Sequence, residues 1–133
     1  MKYLISITIL ASVVAACSMV SMPEADEGRK LYTENCSQCH GTDGRGNGTW
    51  ALAVDPKPAD LTQLSQNGVF PRAKVLSTID GYHRASKPGQ QMPEFGALLE
   101  GPTVPVDVGD GVMTPTPRPL AALLAYLESI QES

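Results

Sequence analysis

The sequence predicts an all-α fold, and three segments with helical punctuation carry that expectation. The last is the plainest: Leu120, Leu123, Leu124 and Leu127 recur at i, i+3, i+4 and i+7, with Thr116 read as the cap and Pro117 as the first helical residue. Ser21-Met22-Pro23-Glu24 has the composition of a helix start, with Ser as N-cap, Pro in the first turn and Glu at the capping-box position. Glu24, Asp26 and Glu27 sit where a helix dipole favours negative charge, and Gly28, Leu31, Tyr32 and Asn35 share one face of a helix running to about Asn35. A third helix is expected from Pro71 to about Asp80, with Val75, Leu76 and Ile79 on one side and Gly81 as its stop.

The connections read as turns. Gly41 to Gly48 is Gly-Thr-Asp-Gly-Arg-Gly-Asn-Gly, which lacks both the Lys-Ser/Thr ending of a phosphate loop and the spacing of a dinucleotide fingerprint. Asp55 to Asp60 is turn-rich, with Asp60 placed to cap a short helix from Leu61, and Ala85 to Pro93 is a loop holding Pro88, Gly89 and Met92. Phe95 to Leu99 is expected to form a short helical turn. Gly101 to Pro119 holds five Pro, and Val104, Val106 and Val108 alternate before Gly109-Asp110-Gly111, so a Pro-rich loop or small hairpin precedes the last helix.

The N-terminus reads as an export signal rather than as fold. Lys2 is the only charge before Cys17, and the apolar run from Leu4 to Ala16 is shorter than the roughly 20 residues of a membrane-spanning helix. Val14-Ala15-Ala16-Cys17 suits cleavage after Ala16 and resembles a bacterial lipobox, in which the Cys after the cut receives lipid. An ordinary cleaved signal that happens to precede a Cys is the alternative. The expected division is therefore residues 1–16 as signal peptide, 17–22 as a lipid-anchored tether and 23–133 as a single domain. Cleavage removes one Lys and no acid, taking the formal net charge from −4 to −5. That balance excludes the basic face of a nucleic-acid binder.

Cys36-Ser37-Gln38-Cys39-His40 carries the chemistry. In C-x-x-C-H, two thiols add across the vinyl groups of a c-type haem while the adjacent imidazole ligates the iron. A redox disulfide would want a βαβ setting, and a zinc site more Cys or His than the three Cys and two His here. The haem also supplies apolar surface to a chain that is only 5% aromatic. Lipid on Cys17 would leave every Cys accounted for.

A haem held by one His needs a sixth ligand or leaves an open site. Met92, in Gln91-Met92-Pro93, is the leading candidate: a thioether favours ferrous iron, and the following Pro restricts Met92 to extended geometry. Met113, His83 and an open site are the rivals, and Met as core filler is the plain reading. The second ring nitrogen of His40 should donate to a backbone carbonyl, for which the Gly41–Gly48 loop is one candidate source, the residue itself not being identified by the sequence. Trp50, Tyr82 and Arg45 are candidate partners for the haem propionates, with ordinary packing or solvation as the alternative.

On these motifs the chain resembles the class I cytochromes c, monohaem proteins with Met/His ligation, from about Glu24 to Ile130. Gly28 and Tyr32, eight and four residues before Cys36, stand where that family crosses its terminal helices, and Leu123-Leu124-Ala125-Tyr126-Leu127 matches the facing helix. The run after His40, Lys57-Pro58-Ala59-Asp60-Leu61-Thr62 and Gln91-Met92-Pro93 also look like bacterial members. The resemblance implies a cytochrome c fold around one covalent haem c, with Cys36, Cys39, His40 and Met92 binding the cofactor. It implies a periplasmic electron-transfer protein rather than an enzyme, docking redox partners through the haem edge. The Gly101–Pro119 segment is an unusually long insert for that family.

Two further readings stand beside the carrier. A haem enzyme or gas sensor needs an open iron, with His83 or Arg84 as the distal polar group. A haem subunit of a dehydrogenase or oxidase complex would use the insert as a partner surface. The acidic balance argues against a generally Lys-rich docking face, although Lys30, Lys57, Lys74 and Lys87 could form a local patch. About four residues link Cys17 to Ser21, roughly 13 Å fully extended, so a lipid on Cys17 would hold the domain at the membrane and favour a membrane-bound partner.

Overall fold

The structure, a computed structural model, describes residues 21–82 and 91–132. The signal segment, Cys17, His83, Arg84, Lys87 and most of the expected Ala85–Pro93 loop lie outside the described residues. Within them the order is α1 (Ala25–Asn35), α2 (Ser37–His40), α3 (Arg72–Asp80), β1 (Thr103–Asp107), β2 (Met113–Pro117) and α4 (Arg118–Ser129). Single 3₁₀ turns sit at Ala51–Ala53, Leu61–Gln63 and Ala97–Leu99. No described helix is long and apolar enough to cross a membrane.

The terminal helices α1 and α4 form the central contact. They approach at Gly28, where a Cβ would fall inside the van der Waals radius of the Ala122 carbonyl oxygen and 2.7 Å from Tyr126 Cβ. Only a residue without a side chain lets the backbones come that close. One turn later Tyr32 is 1% exposed and its ring meets that of Tyr126 at 5.1 Å, tilted by 49°. Leu120, Leu123, Leu124 and Leu127 are all buried, so the leucine face of α4 supplies the centre of the core. Each such side chain contributes about 1.5–3 kcal/mol by leaving water. Val75, Leu76 and Ile79 of α3 and Leu99 complete that cluster, and Gly81 ends α3 in the left-handed conformation at φ 95°.

Two of the expected caps are placed differently. Ser21 does not cap α1: the N-cap is Glu24, without a side-chain bond, while the Ser21 carbonyl accepts from Arg118 Nη1 at 2.6 Å. Pro23 is buried just before the helix. Thr116 does not cap α4 either, because it pairs with Val104 inside the sheet, and Pro117 is the N-cap with Pro119 in the first turn. At both ends a tertiary contact takes the residue that local pattern assigned to the cap.

The departure from an all-helical chain is the antiparallel pair β1–β2, with Val104 opposite Thr116 and Pro105 opposite Pro115. Two prolines cannot exchange backbone bonds, so 105/115 is a non-bonded pair and 104/116 and 106/114 carry the ladder. Val104 and Val106 are buried against α4, and Pro105, Pro115 and Met113 face outward. Asp107 shapes the connection, its Oδ1 accepting from the Gly109 and Gly111 amides at 2.8 and 3.1 Å. Those bonds hold its carboxyl below the ordinary range.

Candidate haem-attachment site

The Cys motif is a tight turn at the end of α1. The Cys36 amide donates to Tyr32 O at 2.8 Å, and the Cys39 and His40 amides donate to Cys36 O at 3.2 and 2.9 Å. This single turn gathers the two thiols and the imidazole into one short stretch, as a cofactor fixed at two adjacent points requires. Both Cys side chains are partly buried. Burial, with Cys39 adding, pushes the Cys36 thiol up to about 11, so it holds its proton at neutral pH. Tyr32 donates its hydroxyl to Gly41 O at 2.6 Å and pins the residue that follows His40. Burial raises the Tyr32 phenol well above its ordinary value.

The glycine loop, a candidate source of the His40 partner, binds the end of α2 instead. Gly46, Gly48 and Trp50 donate their amides in turn to the carbonyls of His40, Cys39 and Gln38, at 2.8, 3.1 and 2.9 Å. The loop thus satisfies the open C-terminal end of α2. Gly48 is required because a Cβ there would strike the Gln38 and Ser37 carbonyls.

The carbonyl facing His40 comes instead from Ala59, 3.0 Å from Nδ1 and 19 residues along the chain. Gly46, at φ 74°, lets it in: a Cβ at 46 would collide with Pro58 O and lie 3.2 Å from Ala59 O. A carbonyl oxygen only accepts, so Nδ1 carries the proton and the neutral ring keeps its lone pair on Nε2. Burial lowers the imidazole pKa, only partly offset by the Ala59 bond, and keeps the ring neutral. A neutral imidazole with its second nitrogen bonded to a carbonyl is the form that ligates a metal. Two thiols and this imidazole within one short turn fit a covalently attached haem, which Cys36 and Cys39 would hold.

The other candidates separate by exposure. Met92 is partly buried and packs on the same apolar cluster as Cys36. Its segment is docked on the end of α3, where Phe95 and Gly96 donate to Ile79 O and Asp80 O at 2.9 and 3.3 Å. Met113 is 63% exposed on the outer face of the hairpin. Trp50 and Tyr82 present exposed side chains, and Arg45 is engaged by the carboxylates of Asp43 and Glu132. Sequence reasoning missed Ala59 as the His40 partner. Its only signal was the Lys57–Thr62 run, because a backbone carbonyl leaves no trace in residue type.

Comparison with known proteins gives one family and one fold match. The Cytochrome c family model matches residues 25–131. No curated protein matches. Among solved structures, a chain of the Kuenenia stuttgartiensis reducing HAO-like protein complex matches with a TM-score of 0.56 and 21% identity. The match covers 84% of this chain and 46% of that one, so this chain spans less than half of its structural counterpart. With the family model spanning both terminal helices and the Cys36–His40 turn, the chain belongs to the cytochrome c family, whose domain implies covalently bound haem c and electron transfer.

Proposed function

We propose that this protein is an exported electron carrier with one haem c, attached through Cys36 and Cys39 and ligated by His40 and Met92. The observation that carries the reading is the buried His40 ring with Nδ1 committed to Ala59 O, which leaves Nε2 as the basic nitrogen. A haem c supplies a one-electron couple at this position. The chain's own residues do the rest. Cys36 and Cys39 fix the ring, His40 is held in one tautomer, and the α1–α4 core keeps the site from rearranging between oxidation states. Support for Met92 over Met113 comes from burial: a thioether ligand must lie inside the domain, and Met113 stands on an outer face.

The test is spectroscopic. The purified protein should give a c-type haemochrome with one haem per chain, and its ferric form a thioether charge-transfer band. Met92→Ala should abolish that band and Met113→Ala should keep it; the reverse would overturn the ligand assignment. An open-site haem protein would instead bind carbon monoxide or cyanide readily in the wild type.

We place the protein in the periplasm, anchored by lipid on Cys17 and serving a membrane-bound redox partner. Arg118 donates to the Ser21 carbonyl and to Glu27 Oε1 at 2.6 and 2.8 Å, fixing the point where the tether leaves the domain. The length of α1, about 16 Å for its 11 residues, separates that point from Cys36. Intact mass of the mature protein should show cleavage before Cys17, lipid and one haem together, and release without detergent would count against the anchor.

A second reading, a haem subunit of a larger oxidoreductase, follows from the fold match, since that chain is part of a protein complex. Purification as a stable heteromeric assembly would favour it over a free carrier.

A further inference from the structure

The last two described residues reach the segment that supplies the His40 partner. Gln131 Oε1 accepts from the Leu64 and Ser65 amides and from Ser65 Oγ, at 2.9, 3.0 and 3.2 Å. Its Nε2 donates to Leu61 O and Leu127 O, both at 2.7 Å. One amide thus binds the end of α4 to the turn beginning two residues after Ala59. Glu132 adds to it, its amide donating to Thr62 O at 2.9 Å and its carboxylate receiving Gln63 Nε2 at 3.1 Å and the Arg45 guanidinium.

The turn transmits that restraint to Ala59. Leu61, whose carbonyl Gln131 takes, donates its own amide to Gly44 O at 2.7 Å. Asp60 Oδ1 accepts from both the amide and the hydroxyl of Thr62, at 2.9 and 2.6 Å. The peptide that presents Ala59 O to His40 is therefore tied on its C-terminal side to a turn that Gln131 holds. We infer that Gln131 is a positioning residue for the axial ligand: it fixes the direction of the Ala59 carbonyl and so sets how strongly His40 Nδ1 is hydrogen-bonded. The inference rests on the proposed ligation of iron by His40. A carbonyl bond at Nδ1 raises the basicity of the ligating nitrogen and favours the ferric state.

The test uses the holoprotein with Gln131→Met, which keeps the side chain's length and neutrality and removes the five bonds. Val106→Ala in the hairpin, which makes no hydrogen bond to the Leu61–Ser65 turn through its side chain, serves as a neutral, destabilising control. Gln131→Met should speed exchange of the His40 Nδ1 proton at least tenfold. It should also raise the reduction potential by about threefold in the ferric-to-ferrous ratio, roughly 28 mV at ~59 mV per decade for one electron. Val106→Ala should lower the melting temperature and leave both readouts unchanged. If Gln131→Met lowers the melting temperature but leaves proton exchange and potential at wild-type values, Gln131 is a structural clamp only and the inference is overturned.

Should that variant not fold, the wild type decides. The His40 Nδ1 proton should then exchange in the same opening event as the Leu64 and Ser65 amides, and independent exchange would overturn the inference. A wild-type ferric protein with no hyperfine-shifted His40 ring resonance would instead defeat the ligation itself, before any variant is compared.

Discussion

Gly28 shows how much one position governs. Gly28→Ala would drive a Cβ into the Ala122 carbonyl, which is backbone and cannot rotate away, so α1 and α4 must separate. Overpacking of this kind should cost about 3 kcal/mol. Chemical denaturation of the haem-loaded protein would measure it, and an unchanged or raised stability, as expected for Gly→Ala at an exposed helical position, would refute the close crossing. Asp60 makes a prediction about pH. Its bonds from the Thr62 hydroxyl and amide hold its carboxyl below the ordinary range. A depressed folded pKa means stabilisation that is present above the unfolded value and lost as pH falls through the folded one. Asp60→Ala should therefore be less stable than wild type at pH 7, and the gap should begin to narrow only as pH falls below about 4, toward the depressed folded value. Denaturant titrations of both proteins at the two pH values check the sign.

Among the elements, the hairpin invites the clearest experiment. Its prolines at 105, 115 and 117 occupy the non-bonded register, where a residue's N–H would otherwise point away from the partner strand. They remove outward donors that could recruit another strand, a known way of blunting sheet edges. Pro115→Val should restore one donor on an exposed strand and increase self-association, read as a rise in sedimentation coefficient with concentration. An unchanged monomer across the concentration range would show that the prolines serve only the hairpin's own shape. The 3₁₀ turn at Leu61 is an element of another kind, short and of little stability alone, yet joined to the C-terminus by Gln131 and Glu132.

At the scale of the whole molecule, Arg72 joins three elements. From α3 it donates Nε and Nη2 to both carboxylate oxygens of Glu128 on α4, at 2.8–3.2 Å, and Nη1 to the Asp107 carbonyl of the hairpin at 3.2 Å. The pair is about one-third exposed, so solvent screens it. A forked pair in that setting should contribute about 1 kcal/mol. Arg72→Ala should lower stability by that amount, with the difference shrinking in high salt. A loss insensitive to salt would assign the effect to the guanidinium's packing instead.

Much of the protein is set by short-range pattern alone. Cys36 to His40 is contiguous, so its chemistry is readable without a fold. The leucine face of α4, the α3 face and the Gly28/Tyr32 pair follow from helical periods that the chain keeps when it folds. Asp60 caps its turn because donor and acceptor are two residues apart. What only the tertiary structure decided involves partners far apart in sequence or backbone atoms common to every residue. Ser21 and Thr116 lost their expected capping roles to a contact with Arg118 and to the β1–β2 pairing. The Ala59 carbonyl reaches His40 across 19 residues, and the Gln131 amide reaches Leu61 across 70. A carbonyl is present at every position, so only the path of the backbone selects the one that meets the imidazole.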